Sequence, residues 1–457
     1  MEQTALHPLV ALAFLVAGLC ICSLPRKQVV LPFLFAAFLI PADQVVLIDP
    51  FHFMTMRILV LFGLLRVLWA KGISKQAILA GGVNRLDVAI LAFAASSAIA
   101  GLLLWHDWKA VVFQSGELYS VVGVYVVLRF LIREKEDVER TLKAFAWLAT
   151  VIAVIMLYEQ AKGWNPYALL GGSHAQEFAT LSERGDRFRA TGPFAHPILA
   201  GTFGAISMPL FFALWWKERR DRAVAALGMI AAVMISFASN SSTPLLALIG
   251  GLAALCCWPL RKFMGVIRWG IVVVLIALHI VMKAPVWSLI SRVDLVGGSS
   301  SYHRYQLVDA FIRHFGDWCL VGVKGTADWG WDMWDLSNQY VLVGETSGLV
   351  PFLLFITIIV LAFKYAGRAR RMAACRRDQL FIWAIGCALF ANVVAFFGIS
   401  YFDQTIVAWY ALLAMIVAVR RSSLAISSQN PGWRTAVSKP PLVSDEEFQP
   451  ASLACSD

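Results

Sequence analysis

Charge is scarce in this sequence: only 15% of its 457 residues are Asp, Glu, Lys or Arg, whereas 59% are hydrophobic and the mean hydropathy is +0.70. Such a composition excludes a water-soluble globular protein. The sequence also lacks a phosphate-binding P-loop, a G-x-S-x-G motif, an H-E-x-x-H motif and a D-x-D pair in its longer polar segments. These absences argue against nucleotide and metal dependence, so we expect no cofactor and no metal site.

The positions of the cysteines and of the basic residues argue against two further classes of protein. The eight cysteines lie mostly in or beside apolar runs and include no C-x-x-C pair, so neither a disulfide framework nor a cysteine metal site is expected. The net charge of +10 could indicate nucleic-acid binding, but Lys and Arg cluster in short segments between apolar runs. That pattern is typical of membrane topology, and we expect no nucleic-acid partner.

Apolar runs of membrane-spanning length recur up to about residue 420. They predict an all-α, polytopic transmembrane helical bundle of about 12–13 spans, in one domain over residues 1–420. The longer predicted spans are 51–70, 111–131, 141–160, 195–216, 266–282, 339–363 and 381–397. The shorter ones are 10–22, 29–40, 88–104, 223–237, 244–257 and 405–419. Residues 421–457, which contain Ser, Pro and acidic residues, are predicted to form a disordered cytoplasmic tail.

Alternate connections between the predicted spans are basic, which indicates that they face the cytoplasm. These connections are 26–27, 71–85, 133–140, 217–222, 261–262 and 364–377. An odd number of spans then places the N-terminus outside and the tail inside. Two predicted outer loops, 161–194 and 283–338, are much longer than the others, and such length indicates function.

The first long loop ends in the stretch GDRFRATGPFAHPILAG, whose Gly-Pro and His-Pro pairs prevent a regular helix before Pro197. Arg189 is therefore expected on irregular backbone just above a span, where its guanidinium could form two hydrogen bonds with a phosphate. The alternative is an interfacial arginine that contacts lipid head groups. His196 could accept a proton or cap the helix that begins near Pro197, and we favour the cap.

The second long loop contains SSSYHRYQLVDAFIRHFGDW, in which Leu307, Phe311 and Ile312 recur at helical spacing. This spacing predicts an amphipathic helix on the outer membrane surface. Arg304 and Arg189 would then be two cations at one interface, suited to a diphosphate. The alternative is two unrelated surface arginines.

The same loop ends in ADWGWDMWDLSNQY, where tryptophans alternate with aspartates directly before a span. The residues are Trp329, Trp331, Trp334, Asp328, Asp332 and Asp335. Tryptophan rings can stack on sugar C–H faces and carboxylates can accept hydrogen bonds from sugar hydroxyls. An aromatic belt at the membrane interface explains any one of these tryptophans equally well.

Three of the charged residues inside predicted spans, where charge is costly and indicates function, lie at a similar depth. At ~1.5 Å per residue, Arg57, Glu117 and Glu345 each lie about 9–11 Å below the outer surface, so they could meet as the polar floor of an outward-facing cavity. The alternative is an internal ion pair, which we favour for Arg57 and Glu117. Glu345 follows the aromatic and acidic loop and is the stronger functional candidate.

Three motifs together resemble those of the O-antigen ligase and O-antigen polymerase superfamily of bacterial membrane glycosyltransferases. The first is similar to R-x-x-G-x-F-x-H-P and consists of Arg189, Gly192, Phe194, His196 and Pro197, followed by Ala200 and Gly201. The second is the arginine of an outer-loop helix followed by two glycines, here Arg304, Gly322 and Gly325. The third is similar to H-N-x-Y-L-x-x-x-x-E-x-G and consists of Ser337, Asn338, Tyr340, Leu342, a displaced Glu345 and Gly348.

Two residues depart from the pattern of that superfamily. Ile198 stands where an asparagine is common, and Ser337 stands where ligases carry a histidine thought to assist the acceptor. The second departure argues against a ligase and favours a polymerase.

The resemblance implies a glycan donor on a polyprenyl diphosphate and a glycan or lipid acceptor, at the periplasmic face of the bacterial cytoplasmic membrane. We expect Arg189 and Arg304 to stabilise the departing diphosphate. The acceptor hydroxyl needs a base, for which the candidates are, in order of preference, Glu345, Asp335, His196 and His303. We expect Trp331, Trp334, Asn338 and Tyr340 to contact substrate, with membrane lipid, a flippase and a chain-length regulator as further partners.

The sequence therefore predicts polymerisation of lipid-linked repeat units into an exopolysaccharide, a capsule or an O-antigen. The alternatives are ligation of a finished glycan to the lipid A core and transfer of an oligosaccharide to protein. From a different class, a secondary transporter would also have many spans, but it typically has paired broken helices in two related halves, which this sequence does not show.

Overall fold

The computed structural model describes residues 6–41, 44–48, 51–73, 75–171, 182–184, 187–216, 219–292 and 301–429. The described residues are 79% helical, and nine of their helices are long and apolar enough to cross a membrane. The predicted fold class, an all-α polytopic membrane bundle, is confirmed. Four further helices, at the positions of the remaining predicted spans, are shorter or less apolar.

The helices follow the predicted spans closely in the first half of the chain. They are α1 (Pro8–Ser23), α2 (Arg26–Leu39), α3 (Thr55–Gly72), α4 (Arg85–Trp105), α5 (Trp108–Leu131), α6 (Lys135–Lys162), α7 (Pro197–Ala213), α8 (Arg219–Ala238), α9 (Ser242–Cys256) and α10 (Met264–Val281). The second half contains α11 (Ser301–Arg313), α12 (Phe315–Trp318), α13 (Gln339–Ser347), α14 (Leu349–Met372), α15 (Arg376–Ala395) and α16 (Gln404–Gln429).

Two short antiparallel hairpins precede α3 and α7. Strand β1 (Val45–Ile48) pairs with β2 (Phe51–Met54), with Val45 opposite Met54. Strand β3 (Ser182–Arg184) pairs with β4 (Arg187–Arg189), with Ser182 opposite Arg189. The second hairpin therefore ends on the arginine of the first motif.

The core of the bundle surrounds α7. In the span that this helix begins, 83% of the apolar 18-residue stretch is buried inside the protein. Helices α8, α9 and α15 pack around it. Small residues allow this close packing: a Cβ at Gly204 would lie 2.7 Å from the backbone oxygen of Ala232. By contrast, none of the hydrophobic window of α10 is buried, so this helix stands at the edge of the bundle.

Ion pairs join the basic segments between helices at one end of the bundle. Arg26 pairs with Asp137 at 2.8 Å, and Lys135 pairs with Asp378 at 2.5 Å. Lys143 pairs with Asp221 at 2.6 Å. Connections that are far apart in the chain thus meet on one side, as the alternation of charge predicts. We call this the basic end.

The predicted outer connections meet at the opposite end, which we call the loop end. The Gln44 side chain accepts a hydrogen bond from the His7 backbone at 2.8 Å and donates to the carbonyls of Leu170 and Gly171 at 3.2 and 3.0 Å. The Gln404 side chain donates to the Pro193 carbonyl at 3.0 Å. The start of α1 and the end of the first long loop therefore lie on the same side.

Three sequence predictions need correction. The predicted span 339–363 is two helices, because Gly348 adopts a φ of +83° and separates α13 from α14. The apolar face of α11 does not lie on a membrane surface: Leu307 and Phe311 are buried against α12 and α13, whereas Ile312 is exposed. The predicted tail begins inside α16, which continues to Gln429, and residues 430–457 lie outside the described residues.

Candidate functional site

Arg189 lies at the end of β4, and its side chain is held against the bundle. Its Nη2 donates a hydrogen bond of 2.8 Å to the Ser241 hydroxyl, and the residue is only 7% exposed. The next residue, Ala190, donates its backbone N–H to the Ala238 carbonyl at 3.0 Å. The guanidinium is therefore held where α8 ends and α9 begins.

Glu159, in the last turn of α6, holds the backbone that follows Arg189. Its buried carboxylate accepts hydrogen bonds from the Gly192 N–H at 2.8 Å and from both the backbone N–H and the hydroxyl of Thr191. Asn165 donates to the Gly192 carbonyl at 3.0 Å. Sequence reasoning missed Glu159, although an acidic residue near the end of a predicted span was a signal that could have found it.

Residues 239–243, which we call the serine loop, comprise the connection between α8 and α9 and the first two residues of α9. The Ser241 hydroxyl donates to the Ser239 carbonyl at 2.8 Å, and the Thr243 hydroxyl donates to the Gly398 carbonyl at 3.1 Å. Within the described residues, the buried Ser242 hydroxyl has no hydrogen-bond partner. The sequence marked this loop only as a short outer connection.

Arg304, in the first turn of α11, borders a cavity of about 270 Å³ that residues of the serine loop also line. The lining residues are Ser242, Thr243, Leu246, Ile290, Ser301, Arg304, Val394, Phe397 and Gly398. Arg304 is 7% exposed. Ser242 follows Ser241 directly, so the hydroxyl partner of Arg189 and a residue that lines the cavity beside Arg304 are consecutive in the serine loop.

His303 and Asp335 belong to the same cluster as Arg304. The His303 Nε2 lies 3.0 Å from the Asp335 carbonyl oxygen and 4.0 Å from its carboxylate. Burial raises the pKa of Asp335, while the charges of His303 and Arg304 oppose that rise. Trp331 and Trp334, on the loop that precedes α13, are 89% and 74% exposed, so their rings remain available at the surface.

Glu345 is 4% exposed, and its Oε2 has no hydrogen-bond partner among the described residues. Helix α13 is too short to span a bilayer, at ~14 Å for nine residues. Burial raises the pKa of Glu345 to about 7. A carboxyl group with that pKa can gain and lose a proton near neutral pH.

A glycine of the second motif packs directly on this helix. Gly322 has a φ of +90°, and a Cβ there would lie 2.3 Å from the Glu345 backbone oxygen. That oxygen accepts a hydrogen bond from the Val323 N–H at 2.7 Å. Gly325, by contrast, has no atom within 4 Å of its Cβ position.

Five other predicted residues make structural contacts. His196 caps α7 by accepting from the Ile198 N–H at 3.2 Å, as favoured from the sequence. Asn338 caps α13, and the Tyr340 hydroxyl donates to the Val393 carbonyl at 3.1 Å. Arg57 and Glu117 form an ion pair at 3.4 Å, which was the favoured alternative to a polar floor. Substrate contacts of Asn338 and Tyr340 stay a prediction.

No protein-family model matches the chain, and no curated protein is significantly similar to it. Within the described ranges, no group of three or more His, Cys, Asp or Glu side chains has the arrangement of a metal site.

Proposed function

We propose that this protein transfers a glycan from a polyprenyl diphosphate to a glycan acceptor, and so polymerises lipid-linked repeat units into an exopolysaccharide, a capsule or an O-antigen. One observation carries the proposal: the buried Arg189 bonds to Ser241 of the serine loop, and the buried Arg304 borders an apolar cavity that the next residue, Ser242, also lines. A diphosphate attached to an apolar chain is the ligand chemistry that suits this combination.

In the proposed reaction, the acceptor hydroxyl oxygen attacks the anomeric carbon of the donor glycan. The bond between that carbon and the phosphate oxygen breaks, and the polyprenyl diphosphate leaves with the electron pair. Arg189 and Arg304 stabilise the negative charge that develops on the leaving oxygen. Because both side chains are already held in place, little reorganisation is needed during the reaction.

The acceptor proton passes to a carboxylate, for which the site offers two candidates. Asp335 belongs to the cluster with Arg304 and His303. Glu345 is buried in α13 and has a pKa of about 7, which suits a general base at neutral pH. The exposed rings of Trp331 and Trp334 supply surfaces on which acceptor sugars stack.

We further propose that the loop end faces the periplasm of a bacterial cell and that the basic end faces the cytoplasm. The Lys and Arg residues of the basic end support this orientation, because short cytoplasmic connections carry an excess of these residues. The donor then reaches the site after a flippase has moved it across the membrane, and a chain-length regulator sets the product size.

A deletion strain tests the proposal. Removal of a polymerase leaves single lipid-linked repeats in the membrane extract, whereas long chains that are not attached to lipid A core indicate ligation instead. An unchanged polymer and an unchanged pool of lipid-linked repeats would refute both activities. Restoration by the wild-type gene is the control.

A further inference from the structure

A second pocket lies at the loop end, and neither Arg189 nor Arg304 is among the residues that line it. It has a volume of about 280 Å³ and is lined by Gln160, Phe188, Phe237 and Asn240, which we call the Asn240 pocket. Phe188 and Phe237 are 42% and 61% exposed, so the pocket is open at its mouth.

Sequence adjacency places this pocket beside Arg189. Phe188 directly precedes Arg189, and Asn240 directly precedes Ser241, the hydrogen-bond partner of Arg189. Consecutive Cα atoms are only ~3.8 Å apart, so the two segments that form the hydrogen bond also contribute to the wall of the pocket. The segments that position Arg189 are therefore also the segments that line the pocket.

The lining residues combine aromatic rings with carboxamides and include no charged side chain. The Gln160 amide is positioned by its hydrogen bond of 3.0 Å to the Ala238 carbonyl. The Asn240 Nδ2 is buried and has no hydrogen-bond partner among the described residues. A ligand oxygen would satisfy this donor, which otherwise carries a desolvation cost.

Size limits what the pocket can hold. Its volume lies just below the ~300–1,000 Å³ of pockets for drug-sized ligands, so it suits one ring rather than an oligosaccharide. Apolar ring faces stack on the C–H face of a sugar, and carboxamides bond its hydroxyls in either direction. The absence of charge among the lining residues favours a neutral sugar over an acidic or basic one.

We propose that the Asn240 pocket binds the first sugar of the donor, a neutral six-membered ring attached directly to the diphosphate. This inference rests on the proposed function, since it takes Arg189 to hold the diphosphate. It assigns the two pockets that serine-loop residues line to different parts of one ligand. The sugar lies in the Asn240 pocket, and the apolar carrier lies in the Arg304 cavity.

The test uses the purified full-length protein and two ligands, farnesyl diphosphate and farnesyl diphosphate that carries one neutral hexose. Their dissociation constants are measured by calorimetry, without turnover. The wild type is expected to bind the hexose-bearing ligand at least tenfold more tightly. Asn240→Gly and Phe188→Ala should each remove most of that preference and change the affinity for farnesyl diphosphate less than twofold.

The variants are chosen so that folding does not obscure the result. Asn240 has a φ of +43°, which glycine adopts without strain, so Asn240→Gly removes the carboxamide and keeps the turn. Leu169→Ala, a 70% exposed side chain near the loop end, is the matched surface control and should bind both ligands as the wild type does.

Two results would overturn the inference. Equal affinity of the wild type for the two ligands would show that the Asn240 pocket does not bind the sugar. If Asn240→Gly and Phe188→Ala weakened the binding of both ligands equally, the pocket would hold a lipid head group or support the fold instead. Failure of the proposed function gives a different result: Arg189→Ala would then leave the affinity for farnesyl diphosphate unchanged.

Discussion

The Arg189 guanidinium donates a hydrogen bond of 2.8 Å to the Ser241 hydroxyl, across an interval of 52 residues. Ser242, the following residue, lines the cavity that Arg304 borders. One short loop thus connects the two arginines that the sequence placed in separate outer segments. Contacts that hold this loop and the Arg189 backbone should therefore control activity as strongly as the arginines themselves.

Glu159 is expected to act as a positioning residue for Arg189. Glu159→Ala leaves the N–H groups of Thr191 and Gly192 without their acceptor, at a cost of about 1–3 kcal/mol for each buried donor. We predict a lower melting temperature and at least a tenfold lower transfer rate in protein that still inserts. The rate is measured as release of polyprenyl diphosphate from a lipid-linked repeat.

The control for this prediction is Glu117→Gln, because the Glu117 side chain is 47% exposed and pairs with Arg57 rather than with the Arg189 loop. It should retain the wild-type rate. Glu159→Gln keeps one acceptor oxygen and should fall between the wild type and Glu159→Ala. A fully active Glu159→Ala protein would contradict the positioning role.

Gly322 and Gly325 form a matched pair for testing the second motif. Gly322→Ala places a methyl group 2.3 Å from the Glu345 backbone oxygen, in a left-handed conformation that alone costs roughly 1–2 kcal/mol. We predict a clear loss of thermal stability for Gly322→Ala and none for Gly325→Ala, measured by melting of the purified proteins. Equal melting temperatures would show that the loop does not pack on α13 as described.

The buried carboxyl of Glu345 predicts a pH-dependent stability. Its pKa is about 7 in the folded protein and 4.5 in its ordinary state, so the folded protein binds this proton more tightly. Stability is therefore lost as the pH rises from about 4.5 through about 7, by up to about 3 kcal/mol. Glu345→Gln should melt higher than the wild type at pH 8 and at the same temperature near pH 4.

The pH profile of transfer separates the two candidate bases. If Glu345 is the base, the wild-type rate falls about tenfold per pH unit below pH 7, and Glu345→Gln loses both the rate and this dependence. If Asp335 is the base, Asp335→Asn loses the rate and Glu345→Gln retains it. Retention of the wild-type rate by both variants would exclude a carboxylate base at this site.

Hydropathy and charge alternation predicted the helices well, because each span satisfies its own backbone and its ends depend on local residues. They also placed Arg189 and Arg304 on one side of the bundle. The helical spacing of Leu307 and Phe311 predicted α11. The spacing shows that the helix has an apolar face, but it does not show whether that face packs on lipid or on α13. The break at Gly348 follows the polar residues Glu345, Thr346 and Ser347, a signal that the prediction of one continuous span did not use.

The contacts around Arg189 could not be predicted from the sequence, for a different reason. Glu159, Ser241 and Gly398 are each more than 30 residues away from the groups they hold, and only tertiary packing brings them together. Ser241 stands in a short polar connection that resembles any other. Composition therefore indicated which residues were costly to place in a membrane, and the structure supplied their partners.

The most direct test gives purified protein a defined lipid-linked repeat and measures release of polyprenyl diphosphate by the wild type, Arg189→Ala and Arg304→Ala. Arg313→Ala is the matched control, because Arg313 lies on the same helix as Arg304 and its side chain is 73% exposed. The account predicts a loss of about 100-fold or more for each of the first two variants, and none for the control. Wild-type rates for both Arg189→Ala and Arg304→Ala would contradict it.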